Sequence, residues 1–445
     1  MSVRLRQILD CFEGVIPSVI ATVDADGTPN VSYLSQVWFV DDEHVALSNQ
    51  FFSKTAANVA ATGQATVLVV DGRTGAQYML DLAWVRSEAA GDLFDRMAAH
   101  LEAISTVHGT EQVMQLRSAE VYRVRICSPV PGNPIQLPEE QAHARGDRLP
   151  AAARLAGEIA AETDADAMIQ RLLDGLGEAF GYEHAMVLVP ELQADRLITL
   201  ASRGYHAGGA GAETPMGRGA VGIAAKTGRA VRLCDMSRGR RLARAVESQA
   251  ELDEGRTIPL PGLAEPQSQL AAPMLVQGQV SGVLFAEASE RFRFGREDEQ
   301  ILSLLGAQLA ASLRLAELEA RSARAAAAAP AAPAQAQRSF QVRHYAFDDS
   351  VFIDGDYVIK GVPGRLLAHF LRQHLADGRR TFTNREIRLD ASLRLPELKD
   401  NLETRLILLR RRLDERAGPV RLARPGRGVI ELVLDGAPSL ETVAA

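Results

Sequence analysis

Cysteine is scarce in this chain: Cys11, Cys127 and Cys234 lie in three different regions and form no CxxC pair. That is cytosolic usage, and it leaves too few thiolates for an all-cysteine iron–sulfur site within one chain. Each thiol reads as small-hydrophobe packing, with Cys234 also open to a redox role. Long apolar runs are lacking too: none approaches the ~20 residues that a membrane span requires. The opening MSVRLRQILDCFEG carries acidic residues and no long apolar core, unlike a secretory signal. The expectation is a cytoplasmic protein with no membrane partner. Catalytic and metal signatures are also missing. His44, His100 and His108 have no spacing that marks a metal or acid–base pair. None of Gly217, Gly219 and Gly222 is directly followed by Lys-Ser or Lys-Thr, as a nucleotide-hydrolysing P-loop requires, and that reading is rejected. No catalytic residue and no metal ligand is assigned.

What is present is length and contrast. At 445 residues and 47% apolar composition the chain is too long for one core, and roughly three domains is the prior. The net charge of −7 is uneven: from Arg338 onward 19 Lys+Arg face 15 Asp+Glu, so that end is +4 and the remainder −11. A basic end on an acidic body fits a nucleic-acid module attached to something else. Between the two lies a spacer. From Glu297, Leu302, Leu305, Leu309, Leu313 and Ala316 recur at helical spacing, which predicts an amphipathic helix able to pair with a partner helix. After Ala320 comes RSARAAAAAPAAPAQAQ, with no large apolar side chain to join a core.

In the first part, PSVIATV and PNVSYL are strand-like and joined through Asp24-Ala25-Asp26-Gly27, a hairpin signal. A strand ends at Ser48-Asn49, Ser53 and Lys54 open a helix, and Thr66 to Val70 form another strand. A hydroxyl, a lysine and free amide donors at a helix start make a seat for an anion such as phosphate; an ordinary N-cap is the plainer alternative. This order, with SNQFFSK, LDLAWVRSE and the late strand EVYRVRIC, resembles the FMN-binding split barrel of the pyridoxamine 5'-phosphate oxidase family over about residues 10–130. The resemblance implies that Ser48, Asn49, Ser53 and Lys54 contact an FMN phosphate. It also implies a homodimer with the cofactor at the interface, and haem or deazaflavin as the family's alternative ligands. An arginine usual on the preceding strand is absent from NVSYLSQ.

The second part has a helical stripe of Ile169, Leu172, Leu173, Leu176 and Phe180 between Thr163 and Gly181. Strands follow at His184–Val189 and Leu197–Ala201. With GRGAVGIAAKTGRAVRLCDM, LAAPM and GVLFAEAS, this segment resembles a GAF domain, which implies an antiparallel sheet sensing a small ligand.

In the third part, short strands near Tyr345–Phe347, Val351–Ile353 and Tyr357–Ile359 precede a helix opened by Pro363. That helix carries Leu366, Leu367, Phe370, Leu371 and Leu375 on one face. Thr383-Asn384-Arg385-Glu386 is a capping box. A third helix opened by Pro396 has an inward stripe of Leu398, Leu402, Leu406, Leu409 and Leu413. Lys399, Asn401, Thr404, Arg405, Arg411 and Arg412 lie on its polar face, and Ile407 and Leu408 fall where polar contact residues are common. The closing VRLARPGRGVIELVL reads as a hairpin with arginines at its tip. The set resembles the winged-helix output domain of response regulators, which implies contact with double-stranded DNA through Lys399, Arg405, Arg411, Arg424 and Arg427.

The expected fold is multidomain α+β: residues 1–132 a split barrel, 133–153 a linker, 154–319 a GAF domain, 320–338 an Ala/Pro linker, 339–435 a winged helix and 436–445 a tail. The leading expectation is a one-component transcriptional regulator sensing redox state or a small-molecule ligand. A flavin-dependent oxidoreductase with regulatory domains, or a ligand-free dimeric scaffold, are the competing readings.

Overall fold

The computed structural model describes residues 3–50, 53–108, 115–136, 148–191, 195–206, 209–237, 258, 260–322, 339–393, 395, 402–426 and 428–443. The first domain is one antiparallel sheet of β1 (Ser18–Val23), β2 (Pro29–Leu34), β3 (Val37–Phe39), β4 (His44–Asn49), β5 (Gln64–Val70), β6 (Gln77–Glu88) and β7 (Ser118–Pro129). Their order is β2-β1-β5-β6-β7-β4-β3. The β1–β2 hairpin turns where the sequence predicts: Asp24 Oδ1 accepts from the backbone N–H of Asp26 at 3.0 Å and of Thr28 at 2.7 Å. Strand alternation buries Ala65, Val67 and Val69 beside Leu80, Leu82, Leu47 and Ile20. Helix α1 (Ser53–Thr62) connects β4 to β5, and α2 (Asp92–His108) connects β6 towards β7.

The second domain is a six-stranded antiparallel sheet, built from β8 (His184–Glu191), β9 (Arg196–Arg203), β10 (Glu213–Pro215), β11 (Val231–Leu233), β12 (Ser268–Val276) and β13 (Gln279–Ala288) in the order β10-β9-β8-β13-β12-β11. Helices α3 (Leu149–Ala161), α4 (Ala165–Phe180) and α6 (Arg296–Ser322) pack together, with α6 laid along β12. Helix α5 (Gly219–Thr227) joins a second apolar cluster to which α2 contributes Ala99 and Ala103. The predicted stripe of α4 is fully buried, and Gly181 closes the helix at φ 66°, a left-handed conformation that costs glycine little. The N-cap is Asp164, one residue beyond Thr163.

Helix α6 departs from the sequence reading. Its stripe of Leu302, Leu305, Leu309, Leu313 and Ala316 is buried within the same chain against β12, α3 and α4, so that face is not left for a partner helix. A 24-residue stretch, Arg296–Glu319, is also long and apolar enough to cross a membrane by length and composition, where the sequence reading found no such run; 56% of its apolar window is buried in the fold. The Ala/Pro segment 323–338 lies outside the described residues.

The third domain pairs β14 (Ser339–Tyr345), β15 (Ser350–Ile353), β16 (Asp356–Ile359) and β20 (Ala437–Val443) in the order β16-β15-β14-β20. Residues read as a tail are thus a strand, parallel to β14 from Ser339↔Ala437 to Tyr345↔Val443. Helices α7 (Gly361–Asp377), α8 (Asn384–Leu389) and α9 (Leu402–Arg416) follow, with β17 (Thr381–Thr383) before α8. A hairpin of β18 (Val420–Gly426) and β19 (Val429–Leu434) then completes a three-stranded sheet in the order β17-β19-β18. The capping box forms as predicted: Thr383 Oγ1 accepts from Glu386 N, and the Glu386 side chain returns to the Thr383 N–H at 3.0 Å. Leu375, placed on the inner face of α7, is instead 50% exposed. Gly364 sits where a Cβ would stand 2.0 Å from the Asp349 carbonyl oxygen, so only glycine fits that close crossing.

The second and third domains share one hydrophobic core. Leu172, Leu176 and Leu302 belong to the same cluster as Leu366, Phe370, Leu406 and Leu409.

Candidate functional site

A cavity of about 370 Å³ opens in the first domain between α1 and the strands β1, β4, β6 and β7. Ile20, Leu34, Leu47, Val59, Trp84 and Tyr122 supply an apolar and aromatic wall; Ser48, Asn49, Thr55 and Glu120 supply its polar groups. Two of the sequence-predicted residues, Ser48 and Asn49, therefore line it, because they end β4 beside the start of α1. Both are held in place. The Ser48 N–H and hydroxyl donate to the Gln36 carbonyl at 3.2 and 3.3 Å. Asn49 Nδ2 donates to Ser118 Oγ at 3.1 Å.

Ser118 leads to a group that sequence reasoning missed. Glu120 Oε1 accepts from Ser118 Oγ at 2.6 Å and Ser87 Oγ at 2.8 Å, while Oε2 accepts from Trp84 Nε1 at 2.9 Å. A glutamate inside a strand-forming run reads as a solvated face, so nothing in the sequence marks it as cavity-lining. Gln36 and Gln50 were missed as well. Gln36 is 1% exposed, and both polar atoms of its side chain lack a partner among the described residues, as does Gln50 Nε2. Buried amides without partners are uncommon in folded proteins and mark a place where a polar ligand or water is expected.

Of the other predicted residues, Lys54 is exposed in the first turn of α1. Asp24 is held below the usual carboxylate range chiefly by the Thr28 N–H, with Lys54 a smaller contributor. The side chain of Ser53 lies outside the described residues. The start of α1 borders the cavity through Thr55 and Ala56, beside an apolar slot walled by Trp84 and Tyr122. Such a lining is of the kind a flavin occupies.

The first and second domains meet at a buried ionic junction. Arg232 of β11 donates to both carboxylate oxygens of Glu13, with Nη2 to Oε1 at 3.2 Å, to Cys234 Sγ at 3.0 Å and to Glu299 Oε2 at 3.2 Å. Burial opposes charge on Glu13, yet Arg232 and Arg296 outweigh it and keep the carboxyl below its ordinary range. Burial, reinforced by Glu13, pushes the Cys234 thiol well up, so the redox role left open for Cys234 meets a neutral, enclosed thiol. Beside the junction His100 packs edge-on to Trp38 at 5.6 Å, and burial pushes its pKa down to about 4.

The second domain holds a further set of polar groups on its sheet: the Thr199 and Thr214 hydroxyls are buried and lack a partner among the described residues.

The predicted DNA-contact residues converge, but on the second domain. Arg405 is 2% exposed and donates through Nη2 to the Pro190 carbonyl at 2.9 Å. Arg411 Nε donates to Asp166 Oδ1 at 2.8 Å. Arg424 reaches Asp164 Oδ2 at 3.4 Å and also pairs with Glu403. The polar face assigned to α9 is therefore corrected at Thr404 and Arg405, which are buried. Lys399, Arg427 and the helix start at Pro396 lie outside the described residues.

Comparison with known proteins divides the chain in the same way. Residues 6–125 match the model of the family described as pyridoxamine 5'-phosphate oxidase, and residues 164–313 match the GAF domain model. Among solved structures, an FMN-binding protein from Syntrophomonas wolfei subsp. wolfei is 19% identical, covering 28% of this chain and 88% of that one, with a TM-score of 0.24. The GAF domain of an Acinetobacter phosphoenolpyruvate-protein phosphotransferase is 19% identical over 39% of this chain and 97% of its own, with a TM-score of 0.31. A free methionine-R-sulfoxide reductase from Neisseria meningitidis, in complex with its substrate, is 21% identical over 40% and 95%, also with a TM-score of 0.31. No curated protein matches the chain. A domain of pyridoxamine 5'-phosphate oxidase type and a GAF domain are thus matched side by side in one chain.

Proposed function

We propose that this protein is a one-component transcriptional regulator: the first two domains sense a flavin-type or other small ligand, and the third, read as a winged helix, binds double-stranded DNA. The observation that carries the reading is the pairing of an aromatic cavity in the first domain with an arginine cluster on α9 and the β18–β19 hairpin in the third. FMN supplies two-electron and one-electron redox chemistry when bound. The protein's share is to hold it. Trp84 and Tyr122 line the slot that would take the ring, and Lys54 with the α1 N-terminus would receive the phosphate. A change at the cavity reaches the second domain through β4, β3 and the Glu13–Arg232 junction, where Arg296 stacks on Phe39 of β3 at 5.1 Å. A homodimer belongs to the proposal; Val31 and Tyr33, 66% and 75% exposed on the edge strand β2, are the apolar surface that supports it.

Two measurements test the reading. Lys54→Ala is expected to weaken FMN binding about tenfold, the scale of one charge-assisted hydrogen bond to phosphate. Flavin fluorescence titration reads it, and equal affinity in the variant would remove the anion seat from α1. For the output, Arg424→Ala with Arg427→Ala is expected to weaken retention of duplex DNA across sequences and to lower the salt slope by roughly two. An unchanged slope would take the hairpin out of the DNA interface, and rapid flavin turnover with a nicotinamide donor would instead favour an oxidoreductase.

A further inference from the structure

The arginines that a DNA backbone would engage are already occupied. Arg411 Nε donates to Asp166 Oδ1 at 2.8 Å, Arg410 pairs with the other oxygen, and Arg424 Nη1 reaches Asp164 Oδ2 at 3.4 Å. Asp164 is the N-cap of α4 and Asp166 lies in its first turn. Asp164 Oδ1 caps that helix, accepting from Asp166 N and Ala167 N at 3.0 Å each, which leaves Oδ2 facing outward. Carboxylates are favoured at a helix N-terminus by the unpaired N–H groups and the helix dipole. The acidic turn is therefore set by α4 itself, whatever docks on it. To a guanidinium group, closely placed carboxylate oxygens offer the same acceptors as a phosphate.

Apolar contact completes the seal. Leu402 through Leu409 are buried without interruption, with Ile407 and Leu408 each 1% exposed, so α9 presents no free face along that stretch. Helix α9 packs on β9 and α4. Polar latches surround it: Glu415 Oε1 accepts from the Ala210 N–H at 3.2 Å, Lys360 pairs with Glu213 at 3.1 Å and Arg388 with Glu317 at 2.9 Å. A helix in this position cannot enter a major groove.

We propose that the docked arrangement is a self-masked state, in which the acidic first turn of α4 takes the place of DNA phosphates and competes with DNA for one face of the third domain. This rests on the reading of the third domain as DNA-binding. A ligand of the first two domains then acts by binding the docked and undocked forms with different affinity.

The test uses the full chain. Asp164→Asn with Asp166→Asn keeps a competent N-cap and removes two negative charges. The expected result is that α9 amides exchange hydrogen about tenfold faster, and that a mixed-sequence duplex DNA binds about tenfold more tightly, ~1.4 kcal/mol. Amides of α4 serve as the folding control. Unchanged exchange in α9 overturns the proposal, and so does faster exchange with DNA bound no more tightly than by the parent. Faster exchange with no DNA retained by either protein leaves the acidic clamp standing and removes the DNA-binding reading instead. Should the variant misfold, the parent protein is measured at about 0.1 M and about 1 M salt, where screening weakens the partly exposed pairs. Exchange in α9 is expected to rise, and salt-independent protection overturns the proposal.

Discussion

Glu13→Ala is expected to destabilise the chain by about 3–5 kcal/mol, the cost of leaving a buried charge without its partner. The group stranded is Arg232, whose side chain is 7% exposed and which sits between Glu13, Glu299 and the Cys234 thiol. Glu299 retains one contact with the guanidinium at 3.2 Å, which places the expected loss towards the lower end of that range. Urea titration followed by tryptophan fluorescence reads the effect, because both tryptophans, Trp38 and Trp84, lie in the first domain. A second variant separates pairing from mere burial. Glu13→Leu combined with Arg232→Met removes both charges at similar volume and is expected to recover most of the loss. An unchanged midpoint in Glu13→Ala would mean that the junction does not hold the first two domains together.

Acidification is expected to cost about 3 kcal/mol through His100 alone. Its folded-state pKa of about 4 lies below the ordinary 6.5, so between those values the unfolded chain binds a proton that the folded chain does not. Stability from this source is complete above about pH 6.5 and falls as the pH drops towards 4. Burial is the main cause; Glu13 opposes it, while Arg232 and Arg296 add to it. Melting curves of the parent and of His100→Gln at pH 7 and pH 4.5 test the sign. The variant starts less stable through the lost packing on Trp38 but should fall less on acidification. Equal falls would show that His100 charges freely in the fold.

Much of the local structure was legible without coordinates. The hairpin at Asp24–Gly27, the capping box at Thr383–Glu386 and the buried stripe of α4 all depend on residues within a few positions of one another. Backbone preference and side-chain reach largely decide such features. The order of the first two domains was legible for the same reason, as a succession of local signals. At the cavity, Ser48 and Asn49 could be placed because they end a strand just before a helix. Glu120 could not, since Trp84, Ser87 and Ser118 reach it only once β6 and β7 are paired.

The sequence by itself therefore determined most of the local elements and their caps. What covers each face was decided only in the tertiary structure. The leucine stripe of α6 is equally suited to a partner helix or to its own sheet, and packing assigned it to β12. Residues 437–443 carry little apolar pattern, yet hydrogen bonding to β14 made them a strand. Arg411 and Asp166 stand 245 residues apart, and Arg232 and Glu13 219 apart. An arginine on a polar face looks the same in sequence whether it meets a phosphate, a carboxylate or water. Its partner is set by which surfaces are brought together when apolar area is buried, and that is a property of the assembled domains rather than of the spacing along the chain.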